Sequence, residues 1–310
     1  MRRRVTVNML WPTLFLVFLA ATPAARTKTI AEQLGFPPEA KLLILHADDL
    51  GVAHSVDVAS FDALEKGAVS SASVMVPTPW ITEVGAWARA HPDRDLGIHL
   101  TLTSEWDTYR WGTVESKDKV PSLLDSLGTL PSEDGPVATK AKPEEVEREI
   151  RAQIDRALAL GIHPTHVDSH MGSLFTTPAL ASVYAKVARD YHLQFLAVKG
   201  NPPGAPQVTL LPDEIAMDTV IIAGPQVPRD KWKDFYIDAL AKLKPGGVSE
   251  IIVHLGHDDA ELQAVTVNHE PYGSAWRQRD YDVVTSAEFK KALADNHVIL
   301  VTSHRIPPPF

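Results

Sequence analysis

The sequence lacks cysteine, long basic runs and glycine-rich phosphate-binding loops, and each absence excludes a class of protein. Without cysteine there is neither a disulfide framework nor a lipid-attachment residue, so the hydrophobic core must hold the fold. The net charge of −9 is not offset by a basic cluster, which excludes nucleic acid and anionic membranes as partners. No predicted strand is followed by a glycine-rich loop, which argues against a nucleotide-binding fold. We therefore expect a soluble protein with a small or neutral ligand.

The first 25 residues differ in composition from the rest of the chain. Arginines at residues 2–4 precede an apolar stretch over residues 14–21 and small residues at 24–25, which is typical of a secretory signal peptide. An uncleaved membrane anchor is the alternative, but Asn8 and Pro12 shorten the apolar run below the ~20 residues that a membrane span needs. We expect export to the periplasm or outside, with no membrane attachment after cleavage.

Beyond a leader over residues 26–40, residues 41–310 alternate between predicted strands and helices. Apolar segments predict strands over residues 42–46, 69–76, 95–102, 165–169, 195–198, 250–255 and 297–302. Predicted helices lie at residues 55–67, 81–91, 143–160, 179–189, 230–243 and 287–294. Such alternation is typical of parallel strands linked by helices. We predict an α/β fold with a single domain, an irregular (β/α) barrel of about seven parallel strands.

One helix can be argued from its residues in detail. Pro143 suits the first helical position, Glu144 and Glu145 complement the helix dipole, and Gly161 marks the end. Apolar residues that recur every four positions predict one buried stripe, formed by Val146, Ile150, Ile154 and Leu158.

A long connection over residues 103–142 interrupts the alternation. Loops of this length in a compact domain tend to bind ligands or to act as lids. The loop carries Trp106, Tyr109 and Trp111. These aromatic side chains predict either a platform on which a sugar ring stacks or the small core of the loop itself.

Histidines and carboxylates gather where the predicted strands end, which in a (β/α) barrel is where active sites lie. These residues are His46, Asp48, Asp49, His99, His166, Asp168, His170 and His254. Two adjacent buried carboxylates are costly unless they are paired or bind a metal, and one carboxylate with two imidazoles is a common ligand set for a catalytic divalent ion. The flexible Gly51 would let the chain turn both carboxylates toward the same rim. The pattern predicts a metal centre.

Other polar residues allow more than one interpretation. His46 is expected to support the neighbouring acids, with ordinary packing as the alternative. His166 and Asp168 could orient His170 or pair across the turn. Arg277 and Arg279 could contact the substrate or fix an acid, but surface ion pairing is favoured.

Four motifs, in this order and at this spacing, resemble those of the YdjC-like carbohydrate deacetylases, which are relatives of the polysaccharide deacetylases. They are HADDLG (46–51), GIHLTLT (97–103), PTHVDSH (164–170) and HLGH (254–257). The resemblance covers roughly residues 40 to 305. It implies an irregular (β/α) barrel that removes acetyl groups from N-acetylated sugars, such as chitooligosaccharides, with the help of a divalent metal ion.

The resemblance also implies roles for individual residues. Asp49, His99 and His170 would bind the metal, Asp48 would act as the general base, and His254 would protonate the leaving amine. Zinc suits this ligand set, although magnesium, manganese or cobalt would be tolerated. The sequence departs from the family pattern in two places: Met171, Gly172 and Ser173 follow the fourth-strand motif where further histidines are common, and Leu255 replaces a proline.

Three other functions remain open on the residues alone. The same barrel could hydrolyse another amide or an ester, because only the loops would differ. A glycoside hydrolase would use Asp48 or Asp49 with a distant acid, but it would leave His99 and His170 unexplained. A non-catalytic exported protein could bind carbohydrate through the loop from Trp106 to Trp111. A homo-oligomer is compatible with all of these.

Overall fold

The computed structural model describes residues 27–200, 208–212 and 214–307. The predicted signal peptide, residues 1–25, lies outside these residues. Within the described residues, no helix combines the length and the apolar character that crossing a membrane requires.

Within the part of the chain that the structure describes, eight parallel strands form the central sheet, which confirms the predicted α/β barrel of about seven parallel strands. They are β1 (Lys41–Leu50), β2 (Ser71–Val74), β3 (Leu96–Leu100), β4 (His166–Ser169), β5 (Gln194–Phe195), β6 (Val220–Ile222), β7 (Val248–Val253) and β8 (Val298–Leu300). Their order is β5-β4-β3-β2-β1-β7-β6, and β8 pairs with the first three residues of β1. One parallel bridge, between Val198 and Met217, joins the segments beside the two edge strands. The sheet therefore curls into an irregular barrel.

Helices connect and flank the strands. They are α1 (Ile30–Gln33), α2 (His54–Glu65), α3 (Ile81–Ala90), α4 (Asp134–Lys140), α5 (Pro143–Ala159), α6 (Pro178–Asp190), α7 (Trp232–Lys242), α8 (Ala260–Val265), α9 (Ser274–Val284) and α10 (Ala287–Asp295). Strand β6 and helices α1, α4, α8 and α9 were not predicted. The three residues of β6 are too few to show a period.

The buried stripe of α5 differs from the prediction at its last position. Val146, Ile150 and Ile154 are fully buried, but Leu158 is 40% exposed and Ala157 is buried instead. A step of four residues turns the helix by about 40° more than one full turn, so a strict four-residue repeat drifts off the buried face.

The interior of the barrel changes from apolar to polar along β1. Leu43, Leu45 and Ala47 pack in the large core beneath the helices, whereas Leu42 and Ile44 belong to a smaller apolar cluster. Because side chains alternate between the faces of a strand, His46 and Asp48 continue the face of Leu42 and Ile44. The carboxyl end of the barrel interior is thereby filled with ionisable groups rather than with hydrophobic ones.

Candidate active site

A cavity of about 790 Å³ opens at the carboxyl ends of the strands. Its lining includes Asp48 and Asp49 from the end of β1, His99 from β3, His170 after β4 and His254 after β7. The structure therefore brings the five residues with predicted catalytic or metal-binding roles together in one place.

A bulge at the end of β1 explains how two adjacent carboxylates reach the same cavity. The pairing of β1 with β2 shifts between Ala47 and Leu50, and the backbone of Asp49 adopts a left-handed conformation with φ of 71°. This conformation is uncommon for a residue other than glycine. It turns Asp49 to the side of Asp48, so that both carboxylates approach the His99 ring, at 3.7 Å from Asp48 and 3.3 Å from Asp49.

Gly51 completes this turn, and a side chain there should destabilise the fold. Its φ is 90°, and a Cβ would lie 3.2 Å from the Thr78 hydroxyl and 3.3 Å from the Met75 carbonyl oxygen. We expect Gly51→Ala to lower the free energy of unfolding by about 1–3 kcal/mol, measured by urea denaturation. Gly112→Ala is the control, since a Cβ there would meet nothing closer than 3.7 Å and φ is not left-handed. Equal effects of the two substitutions would contradict this role of Gly51.

Three side chains converge in the arrangement that a divalent ion needs. Asp49 Oδ1 lies 3.3 Å from His99 Nε2 and 3.3 Å from His170 Nδ1. All three residues are buried, and Asp49 Oδ1 accepts no hydrogen bond from the described residues. An unpaired buried carboxylate oxygen is costly, and a cation between these three atoms would remove that cost. The residues therefore fit a metal ion with one oxygen and two nitrogen ligands.

Carboxylates behind the two histidines fix the direction of each ring. Asp168 Oδ1 lies 2.7 Å from His99 Nδ1, and Glu105 Oε2 lies 3.0 Å from His170 Nε2. If those two ring nitrogens carry the proton, then His99 Nε2 and His170 Nδ1 present their lone pairs toward Asp49. Asp168 therefore orients His99, whereas the sequence predicted that it would orient His170 or pair with His166. No motif in the sequence indicated a role for Glu105.

A buried guanidinium holds the other oxygen of Asp49. Arg277 Nη2 donates to Asp49 Oδ2 at 2.7 Å, and both side chains are almost fully buried. The expectation of surface ion pairing is therefore wrong for Arg277. Burial alone would raise the pKa of Asp49, but Arg277 and the neighbouring rings of His170 and His99 hold it well below its usual value. Asp49 is therefore an anion, as a metal ligand must be.

Asp48 is the less acidic of the two neighbours. Burial raises the pKa of its carboxyl to about 6, although the positive charge of a protonated His99 opposes the shift. A carboxylate with a raised pKa accepts a proton more readily than an ordinary one. Asp48 thus has the character of a general base, whereas Asp49 has that of a ligand.

His254, directly after β7, approaches both carboxylates. Its Nε2 is 3.9 Å from Asp48 Oδ2 and 4.0 Å from Asp49 Oδ2, and its ring packs edge-on against Tyr272. Its backbone N–H donates to the buried carboxylate of Asp280 at 2.9 Å. Burial lowers the pKa of His254 to about 3, so the imidazole is neutral before reaction. It could act as an acid only after it has taken up a proton.

The aromatic residues of the long loop pack mainly against each other. The ring centroids of Trp106, Tyr109 and Trp111 lie 5.8–6.1 Å apart. Trp111 is buried and its Nε1 donates to the Thr103 carbonyl oxygen, while the Tyr109 hydroxyl donates to that of Val52. Of the three, Trp106 is the one that lines the cavity. Tyr109 and Trp111 therefore match the alternative prediction, the core of the loop, and Trp106, which is only 1% exposed, contributes to the cavity wall.

Part of the cavity wall is apolar. It contains Phe175, Leu196, Ile222 and Ile252, together with the half-exposed Met171. Met171 has a φ of 53° and adds apolar surface to the cavity.

Comparisons with known proteins agree with this geometry. The family model described as YdjC-like protein matches residues 42–295. A carbohydrate deacetylase of Thermus thermophilus is 35% identical over 280 residues, which covers 86% of this chain and 95% of the relative. One of Brevibacillus brevis is 29% identical over 262 residues, which covers 84% and 97%. The solved structure of an Enterococcus faecalis protein proposed to cleave cellobiose phosphate is 25% identical, with a TM-score of 0.73 over 86% of this chain and 99% of that one.

Proposed function

This chain belongs to the YdjC-like protein family, and on that basis we propose that it is a metal-dependent carbohydrate deacetylase that converts an N-acetylated sugar and water into acetate and the free amine. The observation that supports the proposal best is the convergence of Asp49, His99 and His170 beside a separate carboxylate, Asp48. The three ligands alone would explain only metal binding. The presence of Asp48 as a separate base in the same cavity supports a hydrolytic reaction as well.

Each group has a distinct task in this proposal. A divalent ion held by Asp49, His99 and His170 would polarise the acetamide carbonyl and make the attacking water more acidic. Asp48 accepts the proton of that water as its oxygen attacks the carbonyl carbon. The proton on Asp48 then passes to His254, whose Nε2 lies 3.9 Å from Asp48 Oδ2. His254 gives this proton to the nitrogen as the amide C–N bond breaks, so acetate and the free amine leave and both side chains return to their starting states. Zinc is the ion we propose, because two imidazoles and a carboxylate suit it.

Acetate release is the direct test of this function. We expect the purified mature chain to release acetate from N-acetylated glucosamine oligosaccharides, to lose this activity after treatment with a chelator, and to regain it with zinc. Sugar binding without acetate release, unchanged by the chelator, would instead support a carbohydrate-binding protein. Hydrolysis of acetyl esters in preference to the amide would support another hydrolase on the same barrel.

The charge of the cavity favours an uncharged sugar. In addition to Asp48 and Asp49, its lining carries three further carboxylates, Glu105, Asp107 and Glu133. Arg277, the guanidinium among the described lining residues, is already paired with Asp49. A phosphorylated sugar would therefore meet repulsion, whereas the free amine product would be tolerated.

We expect phosphorylation of an N-acetylated disaccharide at its terminal primary hydroxyl to lower kcat/KM by about tenfold or more at low salt. Added salt should reduce the difference, because it screens exposed charges. Glu133 is exposed and lines the cavity, so Glu133→Gln should reduce the difference in kcat/KM between the two substrates. Glu144→Gln, on the outer surface, is the control and should leave that difference unchanged. Equal kcat/KM for both substrates in the unmodified chain would contradict the expectation.

We propose further that the mature enzyme works outside the cytoplasm. The support is the composition of residues 1–25, with its basic start, apolar middle and small-residue end. Fractionation of cells that express the full chain, followed by amino-terminal sequencing of the exported form, would test this.

A further inference from the structure

A second group of ionisable side chains lies in the barrel interior beside the candidate active site. His46 of β1 and His166 and Asp168 of β4 are each at most 4% exposed. One potential ligand atom from each lies within 4.8 Å of the others. We call this group the inner cluster.

Several polar atoms of the inner cluster have no hydrogen-bond partner among the described residues. They are both ring nitrogens of His46, Nε2 of His166 and Oδ2 of Asp168. His46 Nε2 approaches Asp168 Oδ2 at 3.2 Å and Asp48 Oδ1 at 3.3 Å, but without hydrogen-bond geometry. Leaving even one buried polar group unsatisfied costs about 1–3 kcal/mol. Four such atoms in one place indicate that a bound group from outside the described residues interacts with them.

Contacts at the edge of the inner cluster occupy one polar atom of each side chain and leave the other atom free to bind a cation. The Thr165 hydroxyl donates to Asp95 Oδ1 at 2.7 Å, so its oxygen accepts from His166 Nδ1 at 2.8 Å. The proton on Nδ1 leaves His166 Nε2 with a free lone pair. Asp168 behaves similarly, because His99 occupies Oδ1 and leaves Oδ2 available. His46 Nδ1 faces Glu250 Oε1 at 3.9 Å, which allows its Nε2 to bind a cation.

The charges of the barrel interior support the same conclusion. Five carboxylates there are at most 5% exposed: Asp48, Asp49, Asp95, Asp168 and Glu250. If all five are ionised and the histidines are neutral, Arg277 and a catalytic divalent ion would compensate three of these negative charges. A second divalent ion would compensate the remaining two, and uncompensated buried charge is strongly unfavourable.

We propose that the inner cluster binds a second divalent cation, with zinc as the best match, through His46, His166 and Asp168. Two imidazoles and one carboxylate form a ligand set that zinc commonly accepts, and water can complete the coordination. Gly97 belongs to the site, because a Cβ at that position would overlap the His166 ring. The ion would hold Asp168 in place, and Asp168 in turn orients His99. Its role is structural, and it does not depend on the reaction that the cavity catalyses.

Metal counting after loading with zinc chloride and exhaustive dialysis tests this proposal. We expect the unmodified full chain to retain two zinc ions, Asp49→Ala to retain one and His166→Gln to retain one. His163→Gln is the matched control, since His163 is exposed, and it should retain two. Anomalous diffraction at the zinc edge would place the second ion between His46, His166 and Asp168, without reliance on any variant.

The outcomes separate this proposal from the proposed function. One ion in the unmodified chain and none in Asp49→Ala would overturn the second site but leave the proposed deacetylase function standing. A protonated His46 between Asp48 and Asp168 would then explain the inner cluster. Two ions in His166→Gln would also overturn the second site. An unmodified chain that retains both ions but releases no acetate would overturn the proposed function alone.

Discussion

Replacing Asp49 by alanine is expected to remove the catalytic ion and to reduce acetate release to the background rate. Asp49 Oδ1 is the oxygen that joins the two imidazoles in the candidate metal centre, 3.3 Å from each. Without it only His99 and His170 remain, and two neutral ligands bind a divalent ion weakly. Elemental analysis should show one ion fewer per chain than in the unmodified protein. An unchanged metal content would contradict the assignment of Asp49 as a ligand.

Asp49→Ala also leaves the buried guanidinium of Arg277 without its carboxylate partner, so a control for folding is needed. Arg277 is buried against Asp49, and breaking a buried pair typically costs about 3–5 kcal/mol. The double variant Asp49→Ala, Arg277→Met removes both charges. We expect it to recover part of the lost thermal stability while the catalytic ion and the activity remain absent. Loss of activity in the double variant then reports on the metal rather than on unfolding.

Replacing Asp48 by asparagine is expected to lower kcat by about 10²- to 10⁴-fold while the catalytic ion stays bound. Asparagine keeps the size of the side chain but cannot accept the proton of the attacking water. Elemental analysis should therefore give the same metal content as in the unmodified chain. Loss of the ion from Asp48→Asn would show that Asp48 is a ligand and not the base.

The pH profile distinguishes a base from a residue that merely packs. Burial raises the pKa of Asp48 to about 6, and the charge of a bound cation would lower it again. The base works only when it is ionised, so activity should fall as the pH drops, with an acidic limb at or below about pH 6. The residual activity of Asp48→Asn should lack this limb. If the limb persists in the variant, another group controls it.

The sequence allowed prediction of the site where the position of a residue follows from the fold class alone. Asp48, Asp49, His99 and His170 come at or just after the ends of parallel strands, and the carboxyl ends of such strands meet at one rim. A metal centre at this rim could therefore be predicted, and the resemblance to the YdjC-like deacetylases implied which residues are its ligands.

The remaining contacts depend on the paths of loops and helices, which no short motif records. Glu105 reaches His170 because the loop after β3 folds back over the cavity, and Arg277 reaches Asp49 from α9, a helix that the apolar pattern did not reveal. The histidine that Asp168 contacts could not be read from the motif for a different reason. That contact is determined by the neighbouring strand in the sheet and not by residues nearby in the sequence. Strand β4 lies beside β3, where Asp168 is in register with His99.

The pairing of β8 with β1 affects the order in which the molecule assembles. The strand that carries the two catalytic carboxylates is supported on one side by β2 and, at its first three residues, by the last strand of the barrel. Contacts between such distant parts of a chain form slowly, because a long loop must close before they can form. We therefore expect the carboxylates to reach their final positions late in folding, when residues 298–300 dock. A ribosome-bound chain that still lacks this segment should have no working metal centre.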